Sequence, residues 1–81
     1  MGIGKISIKP TTHYLAYHND VSWDLVIQAV LSPTKIHPNK RHGKNRLTYI
    51  KSFKEFVIEI HAEQDQQEEI IWVINAFKMQ R

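Results

Sequence analysis

Glu55-Phe56-Val57-Ile58-Glu59-Ile60-His61-Ala62 decides the fold. Phe56, Ile58, Ile60 and Ala62 alternate with Glu55, Val57, Glu59 and His61. A period of two marks a strand with one buried face and one wet face. Downstream, Glu63 to Glu68 is acidic and glutamine-rich, as at a hairpin end. Ile70 to Phe77 then runs almost continuously apolar and includes Trp72, a pattern that predicts a central strand covered on both faces. Upstream, Arg46 to Lys51 reads as a further strand and Thr34 to His37 as a short one.

The N-terminal half reads differently. Ile6 and Ile8 alternate with Ser7 and Lys9 in a short first strand ended by Pro10. Thr11 or Thr12 caps a short helix running to about His18, and Asn19-Asp20 is a break. Ser22 caps a second helix, with Asp24 in its first turn, and Pro33 stops it. Trp23, Val26, Ile27, Val30 and Leu31 make its apolar stripe, and Trp23 and Trp72 are both expected in the core. The expected fold is α+β, in the order β-α-α-β-β-β with room for an extra short strand. Two N-terminal helices pack on one face of a mostly antiparallel sheet of 3–5 strands.

The 81 residues, 42% of them hydrophobic, suffice for one small folded domain, residues 1–81. With no cysteine there is no disulfide scaffold and no thiolate metal site, which fits a reducing, cytoplasmic setting. No run reaches the roughly 18–20 apolar residues of a membrane span, and the start lacks the apolar core of a secretion signal. Gly2-Ile3-Gly4 follows no strand and has no third glycine in register, so it is not a phosphate loop. No cofactor and no membrane partner is expected.

Charge is sorted along the chain, and its net +3 hides the sorting. Leu25 to Lys54 carries Lys35, Lys40, Arg41, Lys44, Arg46, Lys51 and Lys54 and no acid, whereas Glu55 to Glu69 carries six acids and no lysine or arginine. The basic block can hold a polyanion by neutralising phosphates, and the acidic block limits where a polyanion lies. In the loop Pro38 to Arg46, Gly43 lets backbone approach a phosphate. The plain alternative is a solvated loop kept basic for solubility.

Several segments form one layout: Val21-Ser22-Trp23-Asp24-Leu25-Val26, Val30-Leu31-Ser32-Pro33, Arg46-Leu47-Thr48-Tyr49-Ile50-Lys51, and the paired strands Phe56–Ile60 and Ile70–Phe77. Over about residues 11–78 this layout resembles small toxin-like domains related to the RelE-like and BrnT-like toxins, in the barnase–EndoU–colicin–RelE group of metal-independent ribonucleases. The resemblance implies an RNA partner, an antitoxin-like partner and a catalytic histidine early in the first helix, near His13. Asn19 stands where the family carries an arginine, and Asn75 stands near the place of a hydroxyl residue late in the last strand.

Metal-free RNA cleavage needs a base for the 2′-hydroxyl, an acid for the leaving oxygen and cations for the phosphorane charge. Glu59 and His61 lie two apart on one strand and share a face, so they are candidates for base and acid. Arg46, Lys51 and the loop cations Lys40, Arg41 and Lys44 are candidates to hold phosphate, and Tyr49 to stack a base. The simpler reading makes Glu59 and His61 the wet face of a half-exposed strand. His13 and His18, five apart, are expected about 140° apart around a helix, on different faces. Tyr14 and Tyr17, three apart, are expected on one side as added stacking surface. His37, His42 and His61 match no short metal signature, so no metal site is expected. The function expected is RNA-directed: a metal-independent endoribonuclease of toxin type, with a non-catalytic nucleic-acid-binding module or a self-associating interaction subunit as alternatives.

Overall fold

The computed structural model describes residues 6–18, 20–39, 41, 43 and 45–80. Its elements are β1 (Ser7–Pro10), α1 (Thr12–Tyr17), α2 (Trp23–Leu31), β2 (Lys35–Pro38), β3 (Arg46–Ser52), β4 (Phe56–Asp65) and β5 (Ile70–Gln80). The class is α+β, with two helices and one mixed five-stranded sheet in the order β1-β5-β4-β3-β2. The expected β-α-α-β-β-β order needs correction. Four strands follow the helices, both helices lie inside the chain after β1, and β1 pairs parallel to β5. The remaining pairs are antiparallel. No helix among the described residues is long and apolar enough to cross a membrane.

The alternation in β4 survives as its burial. Ile58, Ile60 and Ala62 are buried, and their cross-strand partners Tyr49 on β3 and Val73 and Ala76 on β5 join the same core. Helix α2 covers the β3–β4 side of this face, and α1 covers the β5–β1 side. The stripe of α2 is rotated from expectation. Val26, Ala29 and Val30 are buried, while Leu31, the last residue of the helix, is 71% exposed. Ser22 caps the helix through the Leu25 amide at 3.3 Å.

Two corrections concern β5. It is an interior strand, paired on both sides as expected, but it is not covered twice: the helices cover one face only. Within its apolar run lies a register shift. Ala62 pairs with Val73 but His61 pairs with Asn75, which leaves Ile74 as an extra residue. Before the shift Ile71 and Val73 face the helices, and after it Ala76 does. Trp72 accordingly lies on the uncovered face, half-buried and outside the core that Trp23 joins.

Thr11 ties α1 to that bulge. Its amide and its hydroxyl both donate to the Val73 carbonyl, at 2.9 and 2.7 Å, while the same Oγ1 accepts from the Tyr14 amide at 3.2 Å and caps the helix. Tyr14 is buried and its hydroxyl donates to the Val21 carbonyl, whereas Tyr17 is 73% exposed. The two tyrosines therefore do not form a common stacking surface. At the other end, the Asp65 carboxylate accepts from the Gln67 and Glu68 amides and shapes the acidic hairpin, and Glu69 takes the left-handed conformation at φ 57°.

Burial, helped by the nearby Asp20 charge, raises the Tyr14 hydroxyl above the usual tyrosine range. The neutral form is thus favoured in the folded chain. That contribution is fully present below about pH 10 and is lost as pH rises through the folded value. Tyr14→Phe leaves the buried Val21 carbonyl unpaired and should cost about 1–3 kcal/mol at neutral pH. Urea unfolding at neutral and alkaline pH should also show a smaller alkaline loss than wild type, with a remainder from Tyr49, which burial raises likewise. Unchanged neutral stability would contradict this role.

Candidate functional site

The uncovered sheet face collects the polar and aromatic residues left over from core formation. Opposite positions give a row across four strands: His37 on β2, Thr48 on β3, His61 on β4 and Asn75 on β5. The neighbouring row runs Lys35, Ile50, Glu59 and Phe77. Glu59 and His61 meet as their shared face implies, with Oε2 2.7 Å from Nε2. Asn75 Nδ2 lies 3.3 Å from the other ring nitrogen, Nδ1. Both members of the pair are partly exposed, at 30% and 24% of their side chains, so solvent reaches them.

This geometry fixes one proton. An ionised Glu59 only accepts, so His61 Nε2 carries hydrogen. The Asn75 amide suits either state of Nδ1, since its NH₂ donates to a lone pair and its carbonyl, after a flip, accepts from N–H. The imidazole can therefore gain or lose a proton at Nδ1 without losing a partner. The edge of the Phe77 ring contacts His61, with centroids 5.4 Å apart at 66°. Phe77 also contacts His18 at 5.1 Å and 80°. His18 in turn approaches His13, with Nε2 to Nε2 at 3.2 Å. Tyr17 lies against the His13 ring at 5.0 Å. Two histidines, His18 and His61, thus flank one phenylalanine, and His13 reaches it only through His18.

The expectation that His13 and His18 diverge is wrong because α1 stops at Tyr17. His18 is its C-cap at φ −131° and ψ 16°, outside helical geometry, so its ring swings back toward His13. Two further candidates leave the site. Tyr49 is 5% exposed in the core, opposite Ile60, and cannot stack a base. Lys51 lies opposite Ile58 on the helix-covered face, and its Nζ donates to the Ser32 carbonyl at 2.7 Å, so it cannot act beside Glu59 and His61. Both errors are of parity: these odd-numbered residues of β3 face the helices. Arg46 is on the open face, with Nε 3.0 Å from the Glu63 carboxylate opposite it. Arg41 is exposed in the loop, and Lys40, His42 and Lys44 lie outside the described residues.

Compared with known proteins, the chain matches no family model, no curated protein and no solved structure.

An open cleft of about 410 Å³ at the far hairpin end is lined by Trp72, Asn45 and the acidic end of the sheet, including Glu63 and Asp65. Its charge is unsuited to a phosphate, and it takes in neither Glu59 nor His61. Among the described residues no group of three or more histidines and carboxylates is placed to hold a metal. Sequence reasoning missed Phe77, His18 and Thr48 as site residues. The bulge conceals the first, and a helix end one residue earlier than read conceals the second.

Nitrogen-15 NMR of the imidazoles tests the proton assignment. Neutral His61 should be the Nε2–H tautomer, and Glu59→Gln should weaken that preference. A neutral Nδ1–H tautomer in the wild-type protein would contradict the geometry.

Proposed function

We propose that the uncovered sheet face binds RNA and that Glu59 and His61 cleave its phosphodiester bond without a metal. The observation that carries this reading is the 2.7 Å carboxylate–imidazole pair on a solvent-reachable sheet face. Glu59 takes the proton of the 2′-hydroxyl, whose oxygen forms a bond to phosphorus. The bond from phosphorus to the 5′-oxygen breaks, and protonated His61 supplies that oxygen's proton. The products are a 2′,3′-cyclic phosphate and a 5′-hydroxyl. Arg46, on the same face, offsets the charge that grows on the phosphorane. The phosphate enters between Glu59 and His61 and opens their direct contact. His13, whose Nε2 is taken up by His18, has no part in these steps.

The resemblance to RelE-like and BrnT-like toxin domains points the same way, and with it go a cytoplasmic location and an antitoxin-like partner. The basic loop around Arg41 supplies the approach for the polyanion. The second reading is a non-catalytic RNA-binding module. Phe77, 39% exposed among imidazoles, favours it, because an aromatic ring on an open sheet can stack an unpaired base. Self-association through the opposed charge blocks is a third reading.

Purified protein with labelled RNA and EDTA should yield cyclic-phosphate ends. Glu59→Gln and His61→Ala should each lower the rate by about 10²–10⁴ while leaving binding nearly intact. If wild type cleaves no RNA from mildly acidic to mildly basic pH, the binding module replaces the enzyme.

A Lys40/Arg41/Lys44 triple alanine variant should weaken RNA binding and flatten its salt dependence by roughly one unit per lost phosphate contact. Unchanged affinity at low salt would move the contact surface away from the loop.

A further inference from the structure

His13 and His18 hold their Nε2 atoms 3.2 Å apart at the surface, outside the chemistry proposed for Glu59 and His61. Two imidazole ligands on one tetrahedral zinc, each about 2.0–2.1 Å from it, stand roughly 3.3 Å apart. The free protein already holds the two nitrogens at nearly that separation. We propose that His13 and His18 form a two-imidazole chelate for a borderline divalent transition ion of the zinc, nickel and copper class.

Two features preorganise the pair. The end of α1 at Tyr17 turns His18 back, with its amide bonded to the Tyr14 carbonyl. The Phe77 ring then meets the His18 ring edge-on at 5.1 Å, and Tyr17 flanks His13 at 5.0 Å. In the metal-free chain the contact requires one Nε2–H to donate to the other nitrogen's lone pair. When a cation takes both Nε2 lone pairs, the ring that donated carries its proton on Nδ1 instead. The cation also sits at the carbonyl end of α1, where positive charge is favourable.

The donor set defines the class. Imidazole nitrogen suits zinc, nickel and copper ahead of magnesium or calcium, which take oxygen. No third histidine or carboxylate among the described residues completes the set. The remaining coordination positions are thus open to water or to a ligand atom, and the bound ion exchanges readily. Because His18 and His61 share Phe77, an ion here lies beside the proposed RNA face without being needed for EDTA-resistant cleavage.

Calorimetric titration of the full chain with zinc chloride, in a non-chelating buffer, tests the site. One equivalent should bind. His13→Ala, His13→Gln and His18→Ala should each lower affinity at least about tenfold, in line with the 10–100-fold that even outer partners of a metal site cost. His37→Ala, His42→Ala and His61→Ala should retain it. In NMR spectra the ring signals of His13 and His18 should move together and saturate with the calorimetric isotherm. The proposal is overturned if zinc fails to bind, if binding survives both His13→Gln and His18→Ala, or if His61→Ala alone removes it.

Discussion

Between the pairs Ala62–Val73 and His61–Asn75 the β4–β5 ladder gains one residue, Ile74, and the facing of β5 changes there. Ile71 and Val73 point to the helices before the bulge and Ala76 does after it. Without the extra residue, Asn75 and Phe77 would continue the buried set, and His61 would lose both its amide partner and its aromatic neighbour. The bulge therefore does two things at once. It keeps the core continuous along β5, and it delivers a polar and an aromatic side chain to the open face beside a histidine. Bulges next to functional sites commonly re-aim side chains in this way.

The same place anchors the first helix. Val73, the last residue before the bulge, gives its carbonyl to both the amide and the hydroxyl of Thr11, and that hydroxyl caps α1. Tyr14 then enters the core, while His13 and His18 remain on the outer side of the helix. Position of the imidazoles, helix start and strand irregularity are thus linked through one carbonyl. The core itself asks only for alternation in β4 and a short apolar stripe on α2. Its chemistry-bearing residues are those that alternation leaves outside.

Much of this was legible in the sequence. The alternation from Phe56 to Ala62 implied one wet face, and so the Glu59–His61 pair, which stands at 2.7 Å. Ser22 was readable as a cap, and Thr11 as one of two candidates with Thr12, because their hydroxyls precede helical stretches. Three things were not legible. The parity of β3, which buries Tyr49 and turns Lys51 to the helices, depends on pairing with β4, and no local pattern reports that pairing. Ile70 and Trp72 are apolar on the open face as well, so this half-covered strand reads as a doubly covered one and Trp72 is misplaced, while the bulge at Ile74 hides the facing of Asn75 and Phe77. The stop of α1 at Tyr17 moved His18 by a single residue out of helical geometry, enough to reverse its relation to His13.

The proposed function requires the uncovered sheet face, and not the helical side, to meet RNA. The most direct measurement is a backbone and side-chain NMR titration with a short single-stranded RNA carrying 2′-O-methyl groups, which binds without being cleaved. Saturable shifts are expected at Thr48, Glu59, His61, Asn75 and Phe77, with α2 and the buried Tyr49 unchanged. Shifts confined to α2, or no shifts at any RNA concentration in low salt, would contradict it.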